Sequence, residues 1–439
     1  MGGTVQNSTN SPTAAVPDES TESIWRRIFR QAIRTNATDI HIEPQIDALI
    51  VRFRRQGALF TDLSLEAELA RPLARQLKQL AGLDLRQTKT PQESVFTQIH
   101  NHHTYHLSVN TMPLVSGERI VVHIDDPVAQ PPELTAIGLW GKSLTYLQNA
   151  LAAPRGLILI SGPNHSGVAT TLAGCAAALC SPYHHVASVE ENAAYHVPDM
   201  TYMAVRPSNG MTWPRVLRMQ LKHEPEVVIL GNIPDRETAE IAIEAANRQQ
   251  LILSGSRADS ASLAVTQLLR LSGNPLDLAA SLRLVCTQRL APRLCPDCRE
   301  AYPVEAGLQN RLAQMFRLDR VEAMTRLQQL EQEAINQMPG DQLPSANKIG
   351  TDRHGIVRLW RAKAGGCHSC HKSGYQAAVG LFEVIPVNDS LKRQLIQPSS
   401  MTALYERINA ERVSSLAVDA LIKALCGLIA IEYVPGFLY

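Results

Sequence analysis

The residue types best suited to chemistry sit in a few short stretches. SGPNHSGVATTL, Ser161 to Leu172, follows the apolar run Leu157–Ile160. Its frame of Gly162, four residues and Gly167 on a strand-to-helix turn is that of a phosphate-binding loop, in which backbone amides and a helix N-terminus cradle phosphate oxygens. In that motif the next residues are Lys, which reaches the β- and γ-phosphates, and Ser or Thr, which ligates Mg²⁺. Here they are Val168 and Ala169, which do neither.

Cys295-Pro-Asp-Cys298 and Cys367-His-Ser-Cys370 are two C-x-x-C pairs in turn-prone settings. Together they supply a Cys₄ set that suits a closed structural zinc site. The 299–366 gap is much wider than the usual local spacing, and the alternative is two unrelated turns with free thiols. His368 and His371 flank the second pair as competing ligands. Cys175, Cys180, Cys286 and Cys426 lie in apolar stretches read as helical and are expected to be small buried hydrophobes. His102, His103 and His106 invite a metal reading, against which stands an exposed hairpin with solvated imidazoles.

These groups need elements to position them. Residues 22–36 carry apolar side chains at helical spacing, and alternation over 40–43 and 49–54 predicts two strands joined around Pro44 to Asp47. A helix is expected over 65–81 and a hairpin over 104–124, turning at Ser116-Gly117. This makes a smaller α+β, PAS-like domain over 22–128, after a disordered tail at 1–21. Prolines mark 129–138 as a linker. From 139 to 290 the pattern is βαβ: strands at 157–160, 185–190, 227–230 and 251–254 alternate with helices at 141–152, 168–180, 212–223 and 236–248. VVIL at 227–230 is apolar throughout, as in a parallel sheet buried on both faces. The fold class is therefore α/β, with a mostly parallel RecA-like sheet. Beyond about 290 the chain is expected to be helical: a Cys₄ zinc-binding region over 291–380, interrupted by a Gln-rich helical segment at 308–337, then a helical region over 381–439.

Composition constrains the class. The 439 residues are 45% hydrophobic, with 42 basic and 41 acidic side chains and a net charge of +1. That balance gives no general drive toward nucleic acid, which is not expected as a partner, or toward anionic membrane. No apolar run reaches the length of a spanning helix, and the polar N-terminus does not look like a secretory signal. A cytoplasmic chain with reduced or metal-bound cysteines is the expectation.

ATDIHIEP, VRFRRQGAL, LSVNTMPLVSGERIVVHI, ISGPNHSGVATTL, the stretch GMTWPRVLRMQLKHEPEVVILGNIPDRETAEIAIEAA, TQRLAPRLCPDC and GCHSCHKSGYQAAVGLFEVI follow one another in the chain. In content and order they resemble the GspE/PilB family, the hexameric ATPases of type II secretion and type IV pilus assembly. The resemblance covers residues 22 to 435, without the family's separate N-terminal domain. It implies a nucleotide site at Gly162, Pro163, Asn164, His165, Ser166, Gly167, Val168, Ala169 and Thr170, with ATP and Mg²⁺ as the family's cofactors.

Residue by residue, that site has lost its chemistry. The lysine and metal-hydroxyl positions are Val168 and Ala169. The family's Gly-Glu, whose Glu polarises water, is Gly231-Asn232, and an amide is no general base. The acidic motif keeps Glu190 and Glu191 but not its last carboxylate. Arg257 stands at the histidine position, and Ser108 and His123 at two arginine positions, while Arg52 and Arg54 are kept. Losing the lysine and the metal together weakens triphosphate binding by roughly two to four orders of magnitude, and amides remain for weak anion binding. The resemblance therefore implies a pseudo-ATPase: a structural or regulatory subunit in a homo- or hetero-hexamer with an active paralogue, at the cytoplasmic face of the inner membrane beside an integral platform protein. The alternatives are a divergent active ATPase, using Lys222 or Arg257 as the cation and Glu190 or Glu191 as base, and a decaying paralogue.

Overall fold

The computed structural model describes residues 21–437 apart from 36, 56–57, 102, 126–129, 192, 194, 319, 341–348, 353–354 and 398–399. The expected tail up to residue 20, His102, and the positions Asn192 and Ala194 of the acidic motif lie outside the described residues. The chain divides into two units, Met1–Asp126 and Pro127–Tyr439.

In the first unit, helix α1 (Thr21–Arg34) is followed by strands β1 (Asp39–Pro44), β2 (Ala48–Arg55) and β3 (Ala58–Glu66), helix α2 (Ala70–Leu80), and strands β4 (Gln92–His100), β5 (His103–Leu114) and β6 (Gly117–Asp125). They form one six-stranded sheet in the order β3-β2-β1-β6-β5-β4. Alternation does the sorting: Ile40 and Ile42 of β1, Val51 and Phe53 of β2, and Val109 and Val122 join Trp25, Ile28, Phe29, Leu73 and Leu77 in one core. Polar residues of the same strands take the other face. Two strands were not visible in the sequence. β3 occupies the start of the helix expected at 65–81, which begins only at Ala70. In β4 only Phe96 is buried, so this edge strand carries almost no hydrophobic period. His103 and His106 are both exposed.

The second unit begins with α3 (Gly141–Leu151), β7 (Gly156–Ser161), α4 (Val168–Leu179), β8 (Val186–Glu190), β9 (Met200–Ala204), α5 (Trp213–Leu221), β10 (Val227–Leu230), α6 (Arg236–Arg248) and β11 (Leu251–Ser256). Helices α7 (Ala261–Ser272) and α8 (Pro275–Ser281) lead into the long strand β12 (Leu282–Leu294). Then come β13 (Glu300–Pro303), α9 (Ala306–Phe316), α10 (Val321–Gln337), β14 (Thr351–Asp352), β15 (Gly355–Ile356), β16 (Arg358–Arg361), β17 (Tyr375–Pro386), α11 (Asp389–Ile396), α12 (Met401–Glu411) and α13 (Leu416–Leu425). The main sheet has seven strands in the order β17-β12-β7-β11-β10-β8-β9. All neighbours are parallel except β12 and β17. β7 and β10 are buried along their whole length, as expected for strands covered on both faces.

The region beyond 290 differs from the helical reading. β12 and β17 run antiparallel from Leu284↔Pro386 to Leu294↔Tyr375 and extend the main sheet. The expected divisions at 290 and at 380 both fall inside these strands. Cys286 is likewise in a strand and not a helix, although buried as expected together with Cys175 and Cys426, while Cys180 is partly exposed. The Gln-rich segment forms α9 and α10. Met324, Leu327 and Ala334 of α10 pack with Leu421, Leu425 and Leu359, and its buried Glu331 accepts hydrogen bonds from Gly350 N and Thr351 Oγ1, both at 2.6 Å.

A buried ion pair anchors the last helix. Lys423 and Asp419 sit one turn apart on α13 and bond directly. The Lys423 ammonium lies 5.3 Å from the Trp140 ring centroid and 5.2 Å from that of Phe382. Asp419 also accepts from Phe382 N at 2.8 Å. Removing one partner strands the other charge in the core. Asp419→Ala is expected to lower the unfolding free energy by about 3–5 kcal/mol, whereas Asp419→Leu with Lys423→Met together leaves it within ~1 kcal/mol of the parent or higher. Equilibrium urea unfolding of the three proteins checks this; equal losses in both variants would contradict it.

Candidate functional site

Register brings the carboxyl ends of four parallel strands side by side. Ser161 of β7 pairs with Ser256 of β11, Ser254 with Leu230 of β10, and Leu230 with Val189 of β8. Open α/β sheets bind ligands outside these strand ends. The loop from Gly162 to Gly167 leaves β7 here and enters α4. Gly162 N donates to Ser256 O at 3.1 Å, and Ser166 N to Pro163 O at 3.2 Å. Backbone closeness requires glycine at its start: a β-carbon at 162 would fall 2.6 Å from Gln288 O. At its end Gly167 has φ 85°, a left-handed conformation that glycine adopts at no steric cost.

The support for this loop comes from β12, and sequence reasoning did not find it. Thr171 Oγ1 donates to Gln288 Oε1 at 2.6 Å. Ser161 Oγ lies 3.0 Å from Thr287 Oγ1. A β-carbon on Gly167 would meet Gln288 Nε2 at 2.7 Å. Buried polar residues on a mostly apolar strand were the available signal.

The positions singled out by sequence converge in part. Val168, at the lysine position, is half-buried and packs on the cluster that holds Ile160, Leu172 and Leu253. A β-carbon at Gly255 would lie 3.3 Å from its Cγ1. Its side chain is thus spent on packing. Ala169 is exposed and lines, with Glu190, Tyr195, Met200 and Ile229, a narrow crevice with room for about one water molecule. Thr170 Oγ1 lies 3.1 Å from Tyr195 Oη. Asn232, half-buried, follows β10. Arg257, exposed, follows β11. Glu191 is exposed, and its carbonyl accepts from Arg206.

Glu190 brings a carboxyl beside Ala169, in the first turn of α4. It closes β8, and a β-carbon on Gly231 would lie 3.2 Å from its Cγ. Burial pushes its carboxyl up from 4.5 to about 7. The Mg²⁺–triphosphate complex that the motif implies does not fit these residues: Val168 offers no cation, Ala169 no metal ligand and Asn232 no base.

In the first unit, the retained arginines are held by carboxylates of β1. Arg54 pairs with Asp39 at 3.4 Å and Arg52 with Glu43 at 3.3 Å. Arg119 also reaches Glu43, at 2.8 Å. His123 is the cross-strand neighbour of Ser108, and its Nδ1 lies 2.9 Å from Asp39 Oδ1. Burial alone would raise the Asp39 carboxyl, yet hydrogen bonds from His123 and Thr38 hold it below its ordinary value.

The four cysteines of the two C-x-x-C pairs converge. Their sulfurs all lie within 4.8 Å of one another, and no histidine joins the group among the described residues; His368 and His371 are exposed. Three Sγ–Sγ distances are 3.7, 3.8 and 3.7 Å. A tetrahedral metal–thiolate centre with bonds of about 2.3 Å has edges of about 3.8 Å, so the set fits a metal. Burial raises the Cys370 thiol, but amide donation from Cys367 N and Gly374 N, at 3.1 and 3.2 Å, brings it down to about 6.

The comparisons agree with this architecture. The sequence profile of the family "Type II/IV secretion system protein" matches residues 15–434. The chain is 31% identical over 400 residues to the putative type II secretion system protein E of Escherichia coli K12, covering 91% of this chain and 73% of that protein. It is 28% identical over 434 residues to the type IV pilus assembly ATPase PilB of Pseudomonas aeruginosa, covering 98% of this chain and 70% of the relative. In fold it is similar to the ATPase DotB of Legionella pneumophila, with a TM-score of 0.63 at 14% identity over 96% of each chain.

Glu190 sets a pH dependence. Its folded pKa, about 7, exceeds its ordinary 4.5, so between those values the folded chain binds more protons and this contribution to stability falls as pH rises. From pH 5 to pH 8 the parent is expected to lose up to about 3 kcal/mol relative to Glu190→Gln. Parallel pH profiles of unfolding free energy for the two proteins would refute the assignment.

Proposed function

Since this chain belongs to the type II/IV secretion system protein family, we propose that it is a catalytically inactive ATPase-type subunit, structural or regulatory, of a cytoplasmic motor for pilus assembly or protein secretion. One observation carries this reading. At a strand-end site with its loop intact, Val168 is packed away, Ala169 lacks a hydroxyl and Asn232 replaces a carboxylate, so the cation, the metal ligand and the base are missing together. The chain acts in a homo- or hetero-hexamer, the latter with an active paralogue that supplies hydrolysis, at the cytoplasmic face of the inner membrane beside a platform protein. No helix among the described residues is long and apolar enough to cross a membrane, which is in keeping with peripheral attachment. The division into an N-terminal α+β domain, a RecA-like domain and a C-terminal metal-bearing region belongs to the same reading.

The pure chain is expected to hydrolyse no more ATP than a denatured control, alone or with metal, and to change the rate of a co-encoded active relative when mixed with it. Turnover by the chain alone sinks the proposal. A second reading, a divergent active ATPase, is favoured by Glu190, a carboxyl of raised pKa beside Ala169. Under it, any turnover collapses in Glu190→Gln. A chain that neither folds nor assembles would instead mark a decaying paralogue.

The metal at Cys295, Cys298, Cys367 and Cys370 is zinc in this proposal, as four convergent thiolates, three buried and one half-buried, in a closed set favour it. Elemental analysis is expected to give one zinc per chain. Cys295→Ser with Cys298→Ser should abolish it, and a strong chelator should lower the melting temperature of the parent but not of the variant. Full metal content in the variant would exclude this site.

A further inference from the structure

The first unit has two faces of different electrostatic character. On the sheet face away from the core the arginines are paired: Arg52 and Arg119 with Glu43, and Arg54 with Asp39. The helical face is different. α1 and α2 lay Trp25, Ile28, Phe29, Leu73 and Leu77 on the sheet. That leaves Arg26, Arg30 and Arg34 of α1 and Arg71 and Arg75 of α2 exposed. Each row runs at i, i+4 spacing, so the charges of a helix stand on one side of it. Among the described residues, Arg30, Arg34, Arg71 and Arg75 make no ion pair. α2 contains no acidic residue, and its first turn carries Arg71, where a cation opposes the helix dipole. The acidic residues nearest in sequence, Glu22, Glu68 and Asp84, stand at the ends of these elements. Folding gains nothing from such rows, since like charges at this spacing destabilise a helix. The near balance of 42 basic and 41 acidic side chains over the whole chain hides this face. Apolar surface adjoins it in sequence: Leu80, the last residue of α2, is 43% exposed and Leu85 37%.

We propose that the α1–α2 face docks on an anionic lipid bilayer. The inference deepens the peripheral attachment proposed above and rests on it; what it adds is the face and the headgroup chemistry. The arginine forks match phosphate oxygens, and Leu80 and Leu85 enter the boundary between headgroups and acyl chains. Nucleic acid fits this face less well. The aromatic side chains of α1, Trp25 and Phe29, are buried against the sheet and α2 has none, so no ring is left for a base to stack on. A protein partner would likewise find no aromatic anchor at the centre, whereas a bilayer accepts charge spread over two helices.

Co-sedimentation of the full chain with phosphatidylcholine vesicles, with and without phosphatidylglycerol, tests this at low and at physiological salt. The chain should sediment with the anionic vesicles only, and added salt should weaken binding. Arg30→Glu with Arg34→Glu should lower the partition coefficient at least about 25-fold, about fivefold for each arginine lost, with an unchanged unfolding midpoint. Arg71→Gln with Arg75→Gln gives an independent loss of the same order. Leu80→Ser with Leu85→Ser should weaken binding about threefold or more without flattening its salt dependence. Arg311→Glu with Arg320→Glu, the same charge change at exposed positions outside the first unit, should leave it within about twofold. Binding to neutral vesicles, an equal loss in that control, or no binding at low salt overturns the proposal. Tighter binding of duplex DNA, lost in the same variants, overturns the assignment to lipid. Fractionation of cells that make the chain separates the two readings. A chain recovered on membranes that binds no vesicles removes this inference alone; a chain recovered away from membranes removes the attachment on which it rests.

Discussion

The approach of β10 to β11 at their carboxyl ends governs what this molecule has kept. A β-carbon at Gly255 would lie 2.4 Å from the carbonyl oxygen of Gly231. That is closer than any side chain tolerates, and the clash is with backbone, which cannot swing aside. Gly162 meets the same limit against Gln288 O, at 2.6 Å. These glycines are demanded by the sheet whatever the loop binds. The frame of a phosphate-binding loop therefore persists as a condition of folding and says little about turnover.

The positions that would supply chemistry are under no such demand. Ala169 and Arg257 are exposed, and Asn232 is half-buried. Val168 fills space on an apolar cluster that a long charged side chain would leave for solvent. Fold and chemistry thus rest on separable sets of residues, interleaved along the same few turns, and one set can change without disturbing the other. Glu190 belongs to both. It packs against Gly231 and lines the crevice at Ala169, and the burial that comes with that packing is what raises its carboxyl.

The same distinction explains what could be read from sequence. β7 and β10 were legible because they are apolar from end to end, and α6 matched its expected span because Asp235 caps it through Thr238 N at 2.8 Å. The Cys pairs were legible as motifs despite the gap between them. Edge strands were not: β4 buries one side chain, and β9 begins with Met200 buried and ends exposed. β17 was missed for a different reason. Its identity as a strand of the main sheet depends on pairing with β12, whose residues lie far back in the chain, and no local period records that partner. Gln288 and Thr287 escaped notice as loop supports because their partners, Thr171 and Ser161, are equally remote.

β12 joins these threads. Near its middle, Gln288 lies against Gly162 and Gly167 at the two ends of the loop and accepts a hydrogen bond from Thr171 in the first turn of α4. At its end, Leu294 pairs with Tyr375 of β17, and the next residue is Cys295. The ladder thus delivers Cys295 and Cys298 to Cys367 and Cys370, although the intervening chain runs out through two helices and returns. From Gln288 to Cys295 the strand spans roughly 23 Å. A metal bound at the far end of β12 would also limit how far Gln288 can shift, since from Gln288 to Leu294 the extended strand is held along β17. The shape of the loop then has a support that owes nothing to nucleotide: a thiolate cluster at one end of a strand and a buried amide in its middle. This is why a loop without its lysine, its metal ligand or its base still keeps its backbone path.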